Sequence, residues 1–178
     1  MSAGGLNNAG TDEHALLLEG GVAHAVFVLL EVAYGRSRVL IHTIEDPIEY
    51  EYVSQRAFVT QRELGRDTDS FAEGLRRSMR EDPDVVVVGE MRDFETMPAA
   101  LTLAETGHPT FATLHTASAI QTISRVISTF PAAQQAQTRI QLASTLQYVI
   151  CQKLVPWDNG EGRSLAAEIL AVTPAVVP

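Results

Sequence analysis

The sequence predicts an α/β protein in which a mostly parallel sheet is flanked by helices. Four consecutive valines at residues 85–88 are typical of a strand that is buried on both faces, as strands of parallel sheets are. Short apolar runs alternate along the chain with longer helical segments, which is the order of elements in α/β proteins. A length of 178 residues with 46% hydrophobic content suffices for one domain with a substantial core.

Charge and composition narrow the class of protein. The net charge of -9 argues against a nucleic-acid partner, which would need clustered Lys and Arg. Cys151 is the single cysteine, so no internal disulfide can form, which fits a reducing compartment. The sequence has no apolar run near the roughly 20 residues of a membrane helix and no basic start of a signal peptide. We therefore expect a cytoplasmic protein without direct membrane insertion.

The first half of the chain predicts a disordered start followed by strands and one helix. Residues 1–14 are rich in Gly, Asn and Ala and predict a poorly ordered segment before a domain at residues 15–178. The domain then begins with a strand, a largely buried helix ended by Gly35, and two further strands (residues 15–18, 22–34, 39–44 and 57–60).

The second half has clearer helix boundaries. Ser70 and Glu73 have capping-box spacing and open a helix to about residue 80, and Asp93 caps another through Ala104. After these come a strand, two helices and a C-terminal hairpin (residues 110–114, 118–128, 132–146, 148–155 and 165–172). A turn is predicted at residues 158–160, and Thr173 resembles the N-cap of one more helix.

Three of the predicted strands end in polar residues of related chemistry. Strand 39–44 leads to Glu45 and Asp46, the valine strand leads to Glu90, and strand 110–114 leads to His115. The carboxyl ends of parallel strands meet at one edge of a sheet, where ligands bind in open α/β folds. Carboxylates beside His and Arg suit a phosphate-handling site. The alternative is that Glu90 is only the first solvated residue after a core strand.

Several other features of the sequence have more than one possible role. The histidines 24, 42, 108 and 115 could in principle share a metal, but their spacing is not that of a compact ligand set. Arg76, Arg77 and Arg80 fit a solvated helix face better than a cation acting on a neighbouring subunit. The helix at residues 132–146, rich in Gln and Ala, suits either an interface or internal packing.

Several motifs, in order, resemble those of the secretion and type IV pilus ATPases. Residues 43–49 (TIEDPIE) resemble the aspartate box, residues 89–93 (GEMRD) the Walker B motif, and residues 106–116 the histidine box. Residues 61–68 and 125–132 look like the pilus-retraction branch, the twitching motility ATPases. The resemblance covers roughly residues 40–174.

The resemblance implies a RecA-like core that assembles into a hexameric ring and binds ATP with Mg²⁺. In this family, hydrolysis drives pilus disassembly at the cytoplasmic face of the bacterial inner membrane, on a platform protein. By motif, Glu90 and Glu45 would be catalytic, with Asp46 and Glu90 reaching the metal through water. Arg92, His108 and His115 would sense the phosphates, together with Asp46.

The phosphate-binding loop of this family has no match in the sequence. A P-loop needs a lysine for the phosphates and a hydroxyl for Mg²⁺, yet Lys153 is the only lysine. The loop should fall at Gly20 and Gly21, which places Val22 at the lysine position and Ala23 at the hydroxyl position. We therefore expect weak ATP binding at best.

Two functions stay open. The family also carries a small N-terminal domain and a C-terminal motif that this sequence lacks, so we expect an ATPase core truncated at both ends. The chain could be an impaired motor subunit, or a non-catalytic paralogue that docks on a related full-length ATPase ring.

Overall fold

A single seven-stranded sheet forms the centre of the domain. The computed structural model describes residues 15–19, 38–54, 56–158 and 160–173. Strands β1 to β6 are mutually parallel and only β7 runs antiparallel, in the order β3-β2-β4-β5-β1-β6-β7. The strands are β1 (Ala15–Glu19), β2 (Leu40–Glu45), β3 (Phe58–Glu63), β4 (Val85–Val88), β5 (Thr110–Leu114), β6 (Leu146–Pro156) and β7 (Arg163–Ala171).

Side-chain caps mark the starts of three of the four described helices. The four are α1 (Phe71–Ser78), α2 (Thr96–Glu105), α3 (Ala119–Thr129) and α4 (Ala132–Thr145). The Ser70 hydroxyl accepts the backbone N–H of Glu73, as the capping box predicts. Ser118 plays the same part for α3, accepting the backbone N–H of Gln121. The Asp93 carboxylate accepts the backbone N–H and the hydroxyl of Thr96, so it caps α2 three residues before the first helical turn.

The two faces of the sheet have different coverings. Side chains alternate across the strands, so Val86 and Val88 point to one face and Val85 and Val87 to the other. All four described helices pack on the Val86 and Val88 side, where they form the main core with Ile44, Leu114 and Val149. A smaller cluster on the opposite face joins Ile41, Ala57, Val85 and Val87.

The predicted fold class is confirmed, and the differences are at element ends. Helix α1 ends at Ser78 rather than near residue 80, since Arg80 and Glu81 donate to the carbonyls three residues back and Asp82 has φ 53°. Strand β6 starts at Leu146, directly after α4, two residues before the prediction. The C-terminal hairpin is present as β6 and β7.

Some predictions fall outside the described residues. These are the disordered start at residues 1–14, the helix at residues 22–34 and the helix expected after Thr173. Within the described ranges, no helix combines the length and the apolar character needed to cross a membrane.

Candidate functional site

The sheet brings the predicted carboxylates and one histidine to a common edge. Ile44 pairs with Val88 and Val88 with Ala112, so β2, β4 and β5 end side by side. Glu45 is the last residue of β2, and Glu90 and His115 follow β4 and β5 at the same edge. Strand β1 ends there as well, with Glu19 paired to Leu114. The expectation that three strand ends meet is confirmed.

Gly89 lets the ends of β2 and β4 approach closely. A Cβ at this position would lie 2.9 Å from the Ile44 carbonyl oxygen and 3.1 Å from the Glu45 Cα. The Gly89 N–H donates to that same carbonyl at 2.7 Å, beyond the last paired strand residues. The glycine of the GEMRD motif therefore sets the distance between the two carboxylate-bearing ends.

Glu90 lies between the side chains of Arg92 and His115. Its Oε1 contacts the Arg92 Nε and lies 3.2 Å from the His115 Nε2. The carboxylate is largely covered, whereas Arg92 and His115 are 70% and 64% exposed. The bond to Glu90 and its charge raise the pKa of the Arg92 guanidinium. The two partners of Glu90 thus face solvent, where a ligand could also reach them.

The backbone around Glu90 is anchored to β5. The Met91 N–H donates to the Thr113 carbonyl at 2.9 Å. The Thr113 hydroxyl in turn donates to the Gly89 carbonyl. These two contacts hold residues 89–91 as a continuation of β4, although pairing within the strand ends at Val88.

Glu45 occupies a buried position with its own donors. Only 5% of the residue is exposed. Its Oε1 accepts the Thr43 hydroxyl at 2.6 Å and the Gln61 amide at 3.0 Å. Asp46, the next residue, is exposed at the edge. A buried carboxyl group with two hydrogen-bond donors keeps a defined orientation.

Not every predicted site residue joins this group. His108 precedes β5, so it lies at the opposite edge of the sheet, where its Nδ1 is 3.1 Å from the Thr106 hydroxyl. Within one chain it is separated from Glu90 by the length of the strand, and its sensing role stays a prediction. Gly20 and Gly21 lie outside the described residues.

An open pocket continues the site along α3. It has a volume of about 740 Å³ and is lined by His115 and Arg125 together with small or polar residues (Thr116, Ala117, Gln121, Ser124 and Ser128). A positively charged and hydroxyl-rich wall beside Glu90 suits an anionic group.

The structure bears on two of the open alternatives. Arg76 and Arg77 both pair with Glu73 on their own helix, at 3.6 and 2.8 Å, which favours a solvated helix face. Among the described residues, no group of three or more His, Cys, Asp or Glu side chains could hold a metal directly. Asp46 and Glu90 carry the oxygen ligands that Mg²⁺ prefers, and water would have to complete its coordination.

Gln61 and Glu63 are site residues that sequence reasoning did not assign. Gln61 binds Glu45, and the Glu63 carboxylate accepts the Ile48 N–H at 3.1 Å. Both residues lie in a motif that marked the pilus-retraction branch, yet nothing in that motif indicates which strand end they face. Only the pairing of β2 with β3 places them beside Glu45.

This combination of fold and strand-end residues has known counterparts. The family model for type II/IV secretion system proteins matches residues 25–170. The chain belongs to this family. The type IV pilus retractation ATPase PilT of Pseudomonas aeruginosa is 54% identical over 136 residues, which is 76% of this chain and 39% of PilT.

Solved structures agree with this family membership. A crystal structure of the pilus retraction motor PilT with bound ADP is 46% identical, with a TM-score of 0.83, over 92% of this chain and 49% of that one. The Legionella pneumophila ATPase DotB is 32% identical with the same TM-score of 0.83, over 94% and 47% of the two chains. This chain thus spans less than half the length of these relatives.

Proposed function

We propose that this chain is an ATPase-core domain of a type IV pilus retraction motor, with its own catalysis impaired. The observation that carries the proposal is the meeting of Glu45, Glu90 and His115 at one sheet edge, in a chain of this family. The 54% identity to a pilus retractation ATPase supports the retraction branch.

The chemistry of the edge suits nucleotide hydrolysis. In the proposed reaction, ATP lies at this edge with Mg²⁺, which would neutralise phosphate charge when bound. Glu90 accepts a hydrogen bond from the attacking water and orients it. Arg92 and His115, now paired with Glu90, can turn to phosphate oxygens because both are exposed. Glu45 and Asp46 would bind water molecules around Mg²⁺ when the ion is bound.

Catalysis is impaired because the phosphate-binding lysine is absent. Lys153, the only lysine, belongs to β6 and not to a loop after β1. Without the lysine and the Mg²⁺-binding hydroxyl, phosphoryl transfer is expected to slow by orders of magnitude. The same observation favours the second candidate, a non-catalytic paralogue that docks on a related full-length ring.

Turnover by the purified chain tests the catalytic part of the proposal. We expect no Mg²⁺-dependent phosphate release from ATP above the level of Glu90→Gln, because neither protein can hold the triphosphate. Release that is clearly faster in the wild type than in Glu90→Gln would show a working site and overturn the impairment. A variant away from the edge, Gln134→Met, serves as the control for handling and purity.

Assembly tests the motor part. We propose a homo-hexamer, or a mixed ring with a full-length pilus ATPase, acting at a platform protein on the cytoplasmic face of the inner membrane. The chain should co-purify with a tagged full-length PilT relative and lower its specific ATPase activity as the ratio rises. If it neither enters the ring nor forms its own, the motor assignment fails.

A further inference from the structure

The segment that follows β2 is attached to β3 by several hydrogen bonds, and the Gln61 side chain makes two of them. After Glu45 the chain leaves the sheet, and residues 50–52 return beside β3. The Gln61 Nε2 donates to the Tyr50 carbonyl at 2.9 Å, and its Oε1 accepts the Tyr52 N–H at 2.8 Å. The amide thereby pairs with the returning backbone as another strand would.

The same amide also binds the Glu45 carboxylate. Its second N–H donates to the Glu45 Oε1 at 3.0 Å, the oxygen that also accepts the Thr43 hydroxyl. A carbonyl and a carboxylate can only accept and a backbone N–H can only donate, so one amide orientation satisfies all three partners. Both donor hydrogens of Gln61 are used.

The Tyr52 hydroxyl of the returning segment is affected by the charge of this carboxylate. Burial, and then the negative charges of Glu45 and Glu49, raise the pKa of the Tyr52 hydroxyl to about 12. Glu45 is 5% exposed, so it depends on protein donors rather than on water. Removal of the Gln61 side chain would leave the Thr43 hydroxyl as the one donor to the Glu45 Oε1 among the residues that the structure describes.

We propose that Gln61 is a positioning residue of this site, holding the Glu45 carboxylate and the backbone of residues 50–52 in one arrangement. It acts through Glu45 and does not itself meet the nucleotide. The assignment rests on the proposed function only for the role of Glu45 in hydrolysis. The coupling between the two side chains can be measured without nucleotide.

Amide hydrogen exchange of the full chain tests the attachment. In Gln61→Met, which keeps the length but removes all three hydrogen bonds, protection of the Tyr52 amide should fall by about tenfold or more. The Ile48 amide, which donates to Glu63, should change less. The matched control is Gln134→Met on the exposed surface of α4, which should leave these amides unchanged. Protection equal to that of the wild type would overturn the proposal.

A double-mutant cycle with Glu45→Met, which has no oxygen to accept the Gln61 amide, separates positioning from general support. If Gln61 acts on Glu45, Gln61→Met should change the unfolding equilibrium constant about tenfold less in the Glu45→Met background. The ¹³Cδ signal of Glu45 should also move in Gln61→Met and stay in Gln134→Met. Additive effects, within about twofold, would overturn the proposal even if exchange increases.

Gln61→Asn is the second variant, to be used if Gln61→Met does not fold. Asparagine retains the amide but is one methylene too short to reach all three partners. No measurement in this scheme uses ATP or the assembled ring. ATP turnover by the chain, or a failure to assemble, would therefore count against the proposed function and leave the assignment of Gln61 to be decided by its own result.

Discussion

His42 is an ionisable side chain buried inside the domain, at 1% exposure in the middle of β2. Its Nε2 lies 3.6 Å from Glu81, and the described residues offer no hydrogen-bond partner to its Nδ1. Arg62 binds the same Glu81 carboxylate at 2.6 Å. Burial lowers the pKa of His42 from 6.5; Glu81 partly offsets this and Arg62 adds to it. The folded protein therefore keeps this histidine neutral.

The lowered pKa predicts a loss of stability in mild acid. Below about pH 6.5 the unfolded chain binds a proton at His42 that the folded chain does not, so the free energy of unfolding falls as pH decreases. One proton allows a slope of at most about 1.4 kcal/mol per pH unit. Urea denaturation between pH 7.5 and 5.5 measures it.

His42→Leu is the matched comparison for this pH dependence. The variant puts an apolar side chain of similar size in the buried site, and this side chain cannot bind a proton. Its free energy of unfolding should vary less with pH over this range than that of the wild type. Equal slopes in the two proteins would show that His42 is not the group responsible.

At the scale of elements, two glycines touch the end of β2 in different ways. A Cβ at Gly89 would meet the backbone of Ile44 and Glu45, at 2.9 and 3.1 Å. A Cβ at Gly74, on α1, would meet the Ile44 side chain at 3.1 Å. A backbone carbonyl in a parallel ladder cannot move without breaking pairing, whereas a side chain can adjust.

This difference predicts different effects of alanine substitution at the two glycines. Gly89→Ala should lower the free energy of unfolding by about 1–3 kcal/mol, because the ends of β2 and β4 must separate. Gly74→Ala should be close to neutral, since the gain in helix propensity of about 1 kcal/mol offsets the contact with Ile44. Chemical denaturation of both variants measures the contrast. A neutral Gly89→Ala would mean that the strand ends tolerate wider spacing.

The whole molecule is expected to respond little to nucleotide. Ligand that binds only the folded state stabilises it by RT ln(1 + [L]/Kd), which is about 0.4 kcal/mol when the concentration equals Kd. Without the phosphate-loop lysine, we expect a Kd near or above about 1 mM, and hence a rise in Tm below about 2 °C in about 1 mM Mg-ATP. Differential scanning fluorimetry measures the shift. A full-length PilT relative serves as the positive control, and a shift of several degrees in this chain would contradict the expectation.

Prediction from sequence succeeded where the signal was local. The valine run of β4 and the capping box of α1 each depend on neighbours a few residues apart, and both elements are present. Element ends were less predictable, because the end of α1 depends on the left-handed backbone of Asp82 and the start of β6 on its pairing with β1.

By itself the sequence determined the fold class, the family motifs, the three polar strand ends and the lack of a lysine for the phosphates. These follow from residue types and spacing along the chain. The tertiary structure alone decided that Glu90 pairs with Arg92 and His115, that Gln61 reaches Glu45 and that His108 lies at the far edge. Such contacts depend on which strands lie side by side and in what register, and that arrangement comes from packing between segments distant in sequence.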